Sequence, residues 1–186
     1  MVIFSTLVKI QTFCYNMIMR ITIIGHAGSG KSTFARKICK KLNIPHLHID
    51  EFWFEANGNK LKQSDTEGLE RVRKHIKEKV VDFIKQDSWV SDGWYSRIQP
   101  IITEKADQIF FLDIPVYRRI FNHLKRMHGS NKNKKLTRWE DYRFVYTIIR
   151  RTFKENSKIK QFIHNHNNKV RVFKNYKEVE KYLNTL

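Results

Sequence analysis

Residues 25–32 carry the feature that most constrains this chain, the sequence Gly-His-Ala-Gly-Ser-Gly-Lys-Ser. It matches the spacing G-x-x-x-x-G-K-[ST], in which glycines let the backbone curl and turn its N–H groups toward phosphate oxygens. Three of the chain's seven glycines lie in these six positions, 25–30. An apolar, β-branched segment precedes the motif and an amphipathic segment follows it, as a strand–loop–helix phosphate site requires.

The motif assigns a role to each of its residues. Lys31 is expected to reach the β- and γ-phosphates of ATP, and the hydroxyl of Ser32 to bind Mg²⁺. Thr33 is expected to add a phosphate contact. The predicted nucleotide-binding segment is therefore continuous and comprises Gly25, His26, Ala27, Gly28, Ser29, Gly30, Lys31, Ser32 and Thr33.

Hydrophobic periodicity predicts strands that alternate with helices. The predicted strands are Arg20–Ile24, Pro45–Ile49, Trp89–Asp92, Gln108–Asp113 and Val170–Phe173. The predicted helices are Lys31–Leu42, Thr66–Gln86 with Ser64 or Asp65 as its cap, a helix from Pro115, Arg138–His164 and Tyr176–Leu183. Asp50–Ser64 and Gly129–Lys135 are predicted to be loops. Such alternation is typical of an α/β fold with a parallel sheet covered on both faces.

Length and cysteine content suit one cytoplasmic domain. The chain has 186 residues, and its two cysteines, Cys14 and Cys39, do not make a disulfide framework. No apolar run is long enough for a membrane span. We expect residues 19–186 to form the domain, as a monomer or weak dimer. Residues 1–18 are expected to be an extension, because translation could begin at Met17 or Met19; an additional strand or helix is the alternative.

Positive charge is concentrated in one third of the chain. Residues 115–174 contain 17 lysines and arginines against three acids, which is +14 of the net +18. Such an excess indicates a polyanionic partner, either the phosphates of a small ligand or a nucleic-acid backbone. Charge that only maintains solubility is the remaining explanation.

Size and motif content favour a kinase among nucleotide-binding proteins. The N-K-x-D motif by which GTPases read their base is absent, and motor ATPases are usually larger. Three segments, residues 19–54, WVSDGWYSR and IFFLDIP, make the chain resemble the bacterial topology-modulation (FlaR-like) proteins, a branch of the adenylate-kinase-like P-loop kinases. The resemblance covers 19–183 and implies a three-layer P-loop NTPase fold with a five-stranded parallel sheet and a small helical lid at about 115–157.

Two aspartates compete for the role of supporting the metal. Asp113 ends an apolar run, whereas Asp92 ends the third strand, which in such kinases lies beside the strand before the phosphate loop. We favour Asp92 with Ser32 for Mg²⁺. Asp50 is expected at the carboxyl end of the second strand, where it could bind substrate and accept the proton of an acceptor hydroxyl.

The remaining candidates are expected to hold the acceptor or close over the nucleotide. Trp53 could stack on a base or sugar, although it could equally seal the core. Tyr95 and Arg97 follow Asp92 in a stretch that resembles the acceptor-phosphate segment of adenylate kinases, with one extra residue before the arginine. Four lid arginines recur at seven-residue spacing, which places each pair on one helix face. They are, in order of preference, Arg126, Arg150, Arg119 and Arg143.

The sequence therefore predicts an ATP-dependent kinase that transfers the γ-phosphoryl group to a nucleotide, a nucleoside or another small acceptor. The alternative is an ATP-binding, nucleic-acid-associated regulator. It rests on the basic stretch, and it would show a broad basic face and strongly salt-dependent binding.

Overall fold

The computed structural model describes residues 18–62, 64–95, 97–130 and 138–186. The strands are β1 (Arg20–Gly25), β2 (His46–His48), β3 (Trp89–Asp92), β4 (Gln108–Leu112) and β5 (Val170–Phe173). The helices are α1 (Lys31–Leu42), α2 (Ile49–Glu55), α3 (Thr66–Phe83), α4 (Gln99–Lys105), α5 (Val116–Ser130), α6 (Arg138–Asn165) and α7 (Tyr176–Leu183), and a 3-10 turn covers Gly58–Lys60.

The five strands form one parallel sheet in the order β2-β3-β1-β4-β5. The prediction of a five-stranded parallel sheet is confirmed, and so is the placement of β3 directly beside β1. In β1 every residue after Arg20 is buried, because the central strand of such a sheet is covered on both faces. The carboxyl ends of β1, β2 and β3 consequently meet at one edge.

Two layers of helices cover the sheet. On one face, Phe34 and Ile38 of α1 pack with Tyr182 and Leu183 of α7 over the inward residues of β1 and β4. On the other face, α3 and α4 cover β2 and β3, while Ile159 of α6 covers β1 and β4. Each fully buried aliphatic or aromatic side chain stabilises the fold by about 1.5–3 kcal/mol relative to exposure. The three-layer α/β architecture is thereby confirmed.

Two helices lie where the sequence pattern did not predict them. The segment Asp50–Ser64 was predicted to be a loop, but its first residues belong to α2. The first turn of this helix contains Asp50 and Glu51, and acidic side chains stabilise the N-terminal end of a helix. Helix α4 was not predicted, and it has a proline in its first turn, where this residue is well tolerated. The cap at Asp65 is confirmed, since its carboxylate accepts a hydrogen bond from the Gly68 N–H.

Part of the predicted loop Gly129–Lys135 is helical. Gly129 and Ser130 belong to the last turn of α5, so the loop prediction was wrong there, and residues 131–137 lie outside the described part. Residues 1–17 lie outside it as well, so the predictions of an N-terminal extension and of a lid remain predictions. None of the helices described here combines the length and the apolar character that crossing a lipid bilayer would require.

Candidate functional site

The glycine-rich loop joins the end of β1 to the start of α1. Gly28 and Gly30 have φ angles of +79° and +88°, a region that side-chain-bearing residues rarely adopt. A Cβ on Gly28 would also lie 2.7 Å from the carbonyl oxygen of Arg119. The loop therefore needs glycine both for its curl and for its close contact with α5. The first turn of α1 contains no acidic residue, which leaves the positive end of the helix dipole available to an anion.

Lys31 closes over this loop. Its Nζ donates a hydrogen bond to the carbonyl oxygen of His26 over 3.1 Å, and the Lys31 side chain is half-buried while Thr33 is exposed. The structure thus brings the predicted phosphate-binding segment together as one compact turn, in which the Lys31 ammonium group and the Ser29 N–H both donate to the carbonyl oxygen of His26.

Asp92 lies directly across from the start of α1. The Ser32 hydroxyl donates to Asp92 Oδ2 over 2.5 Å, and the other carboxylate oxygen lies 2.8 Å from Nε2 of His46. Asp92 is 2% exposed. Burial opposes its ionisation, but the hydrogen bonds from His46 and Ser32 outweigh that effect and hold the pKa of Asp92 below its ordinary value.

The alternative metal-supporting residue, Asp113, has different contacts. Asp113 follows β4 and is exposed, and its backbone N–H donates to the carbonyl oxygen of Phe173. The pair of oxygen ligands that the structure does bring together, the Ser32 hydroxyl and the Asp92 carboxylate, has the chemistry that Mg²⁺ prefers.

A second carboxylate stands at the end of β2. Asp50 is exposed in the first turn of α2, and its Oδ1 accepts a 2.6 Å hydrogen bond from the Tyr95 hydroxyl. Burial, followed by the hydrogen bond and charge of Asp50, raises the pKa of Tyr95 well above its ordinary value. The phenol therefore remains a donor at all physiological pH values and fixes one oxygen of Asp50.

Trp53 and Arg97 make other contacts. The Trp53 ring packs on Gly58, where a Cβ would come within 2.5 Å of it, and contributes to the core on the α3 side. Arg97 has a side chain that is 68% exposed and pairs with Glu70 of α3 over 2.9 Å. Their assignment to substrate binding remains a prediction, and each has a visible structural partner.

The structure describes the side chains of two of the four predicted lid arginines, Arg119 and Arg150. Arg119 is 2% exposed, and its Nη2 donates to the Thr152 hydroxyl of α6 over 2.9 Å, so it links α5 to α6. Arg150 is exposed. The side chains of Arg126 and Arg143 lie outside the described part of the chain, and their roles remain predictions.

A cleft of about 500 Å³ opens beside the glycine-rich loop. Its wall includes Gly30, Thr33, Asn122, Lys125 and Tyr176. The Asn122 amide donates to the carbonyl oxygen of Gly28 over 2.9 Å and to the Tyr176 hydroxyl over 2.5 Å. Neither Asn122 nor Tyr176 is among the predicted site residues. Tyr176 could have been suspected, because it follows the carboxyl end of β5, the edge at which open α/β sheets bind ligands.

Comparison with known proteins places the fold. No protein-family model matches the chain. It is 26% identical over 140 residues to the bifunctional shikimate kinase/3-dehydroquinate synthase of Thermotoga maritima, and the match covers 72% of this chain and 28% of that protein. The chain thus spans less than a third of the length of this curated relative.

Two solved structures share the architecture. A shikimate kinase from Bacteroides thetaiotaomicron has a TM-score of 0.60 at 17% identity, covering 90% of this chain and 95% of its own. The protein TT1252 from Thermus thermophilus has a TM-score of 0.54 at 18% identity, with coverages of 90% and 95%. The chain therefore has the same fold as this shikimate kinase, a five-stranded parallel sheet between layers of helices. Neither structure is described as a topology-modulation protein, so that resemblance stays a prediction.

Proposed function

We propose that this chain is an ATP-dependent phosphotransferase that moves the γ-phosphoryl group of ATP to a small acceptor. One observation carries the proposal, and it concerns the carboxyl edge of β1 and β3. There the Lys31 ammonium group contacts the glycine-rich loop, and the hydrogen-bonded pair of Ser32 and Asp92 lies beside it. Phosphoryl transfer depends chiefly on positioning and on stabilising charge, and these groups supply both.

The triphosphate would lie in the glycine-rich loop. The backbone N–H groups and Lys31 would bind the phosphate oxygens, and Ser32 and Asp92 would hold Mg²⁺ directly or through water. Bound Mg²⁺ neutralises charge on the β- and γ-phosphates. Hydroxyl and carboxylate oxygens suit this ion, which supports the assignment.

The nucleoside would occupy the cleft next to the loop. Tyr176 lies against Gly30, with ring carbon Cε1 3.4 Å from the position of a Cβ there, and so offers an aromatic surface beside the phosphate site. Bases stack on aromatic side chains with little dependence on their identity. Lys125 in the same wall would add positive charge near the phosphates.

The acceptor would enter from the side of Asp50. The Tyr95 hydrogen bond leaves one oxygen of Asp50 to receive a proton from an acceptor hydroxyl. The likeness to a shikimate kinase/3-dehydroquinate synthase supports a small hydroxylated acceptor. Nucleotides and nucleosides stay within the proposal. Arg126 and Arg150 would supply positive charge over the γ-phosphate, where the bidentate fork of arginine is effective.

A phosphotransfer screen tests this function. The purified chain is incubated with Mg²⁺ and ATP labelled in the γ-phosphate, together with nucleoside monophosphates, nucleosides, or sugar acids and other hydroxylated acids that include shikimate. Transfer of label to one acceptor class supports the proposal. Duplex DNA binding is measured in parallel at two salt concentrations. Salt-sensitive duplex binding without any transfer would favour the nucleic-acid-associated regulator instead.

A further inference from the structure

Strand β2 carries two histidines, His46 and His48, to which the proposed nucleotide site assigns no role. In the parallel register His46 is opposite Val90, and His48 is opposite Asp92. Residues two apart on a strand share a face, so both imidazoles lie on the face of Asp92. The two rings are stacked with their centroids 5.7 Å apart, and they stand beside the carboxylate that Ser32 contacts.

The two histidines differ in what they do for Asp92. Nε2 of His46 lies 2.8 Å from Oδ1 of Asp92, within hydrogen-bond distance. Nε2 of His48 is 3.9 Å from Oδ2, which is too far for a hydrogen bond, and its Nδ1 pairs with Glu51 over 3.0 Å. A carboxylate oxygen can only accept a hydrogen bond, so His46 is the donor in the tautomer that carries a proton on Nε2.

This contact fixes the plane of the carboxylate. The terminal torsion of an aspartate side chain is broad, so one hydrogen bond leaves the group free to pivot. Here Oδ2 is held by Ser32 and Oδ1 by His46, and the residue is 2% exposed. Because both oxygens are held by hydrogen bonds, the carboxylate keeps one orientation toward Ser32.

We propose that His46 is a positioning residue that orients Asp92, and through it the Ser32 hydroxyl, for the magnesium ion of the bound nucleotide. This inference rests on the proposed function. Hydrogen-bond partners behind metal ligands typically contribute 10–100-fold to metal affinity or activity, and a comparable factor is expected here. His46 would not touch the nucleotide.

Two substitutions separate the hydrogen bond from the ring. His46→Phe keeps an aromatic ring on β2 but cannot donate, whereas His46→Gln can place an amide N–H near the position of Nε2. His48→Gln is the matched control on the same strand and face. For each variant, ATP affinity is measured by calorimetry with Mg²⁺ and with EDTA, and thermal unfolding is recorded.

The ratio of the two affinities is the readout. The magnesium-dependent gain is the ATP affinity with Mg²⁺ divided by the affinity in EDTA. We expect His46→Phe to reduce this gain about tenfold or more, with an unchanged affinity in EDTA. His46→Gln should recover most of the gain, and His48→Gln should retain it within about twofold. A full gain in His46→Phe, an equal loss with and without Mg²⁺, or no recovery in His46→Gln would overturn the positioning role. Wild-type protein that binds no ATP under either condition would instead overturn the proposed function itself.

Discussion

Asn122, on helix α5, donates from its side-chain amide to the carbonyl oxygen of Gly28 over 2.9 Å, across 94 positions of sequence. The same amide donates to the hydroxyl of Tyr176, which in turn lies 3.4 Å from the carbonyl oxygen of Ser29. Helix α5, which lies within the predicted lid segment 115–157, is thereby attached to the phosphate loop. A change in the geometry of the loop would therefore alter these contacts of α5.

Gly28→Ala should be more harmful than Gly30→Ala. Both positions have positive φ, and strain of this kind costs about 1–3 kcal/mol. Only Gly28 faces backbone, with its added Cβ 2.7 Å from the Arg119 carbonyl oxygen, whereas Gly30 has the Tyr176 ring at 3.4 Å. Thermal unfolding and ATP titration of both variants measure the difference. Equal effects would show that contact with α5 does not constrain the loop.

Tyr176→Ala should weaken the binding of ATP much more than the binding of inorganic tripolyphosphate. Loss of a stacked base costs about 1–3 kcal/mol, so the Kd for ATP should rise about tenfold. Tyr176→Phe keeps the ring and serves as the control, with a smaller rise. Calorimetry with both ligands provides the measurement. An equal loss for ATP and tripolyphosphate would place the base outside the cleft.

Tyr95→Phe should impair use of the acceptor while leaving ATP affinity unchanged. The substitution removes the 2.6 Å hydrogen bond to Asp50, and hydrogen bonds to charged groups contribute about 1.5–3 kcal/mol. We expect kcat/KM for the acceptor found in the screen to fall about tenfold or more. Tyr117→Phe, at a tyrosine that is 67% exposed on α5, is the control. Normal acceptor kinetics in Tyr95→Phe would argue against a role for Asp50 orientation.

Asp92 should contribute to stability in a pH-dependent way. Its folded-state pKa lies below its ordinary value because the hydrogen bonds from His46 and Ser32 outweigh burial. The contribution is therefore fully present above the ordinary aspartate pKa of about 4 and is lost as pH falls through the folded-state pKa. The free energy of unfolding of wild type should decline more steeply below about pH 4 than that of Asp92→Asn. Parallel profiles would contradict this account.

Local pattern predicted most of the fold and part of the site. Helix α1 and strand β3 begin and end where periodicity and the motif place them. The position of Asp92 beside the phosphate loop followed from the kinases that the sequence resembles, in which the third strand lies next to the strand before that loop. Helix α2 was not predicted, because the acidic and aromatic residues after β2 show no clear helical pattern. The helix is stabilised by tertiary contacts, in which Phe52 and Trp53 pack on the core.

Contacts over long sequence separations could not be predicted. Asn122 meets Gly28 from α5, and Tyr176 meets Ser29 across 147 positions. No spacing along the chain encodes such pairs, since they depend on how α5 and α7 pack beside the loop. The burial of Arg119 against Thr152 likewise depends on how α5 packs on α6. Its role at the nucleotide remains a prediction.

The central claim is that the turn from Gly25 to Ser32 binds the triphosphate of ATP. The most direct measurement is calorimetric titration of Mg-ATP into wild type and into Lys31→Ala, with thermal unfolding of both proteins. We predict one ATP bound per wild-type chain, a loss of tight binding in Lys31→Ala, and nearly equal melting temperatures without ligand, since Lys31 contacts the loop rather than the core. Equal ATP affinity in the two proteins would contradict the account.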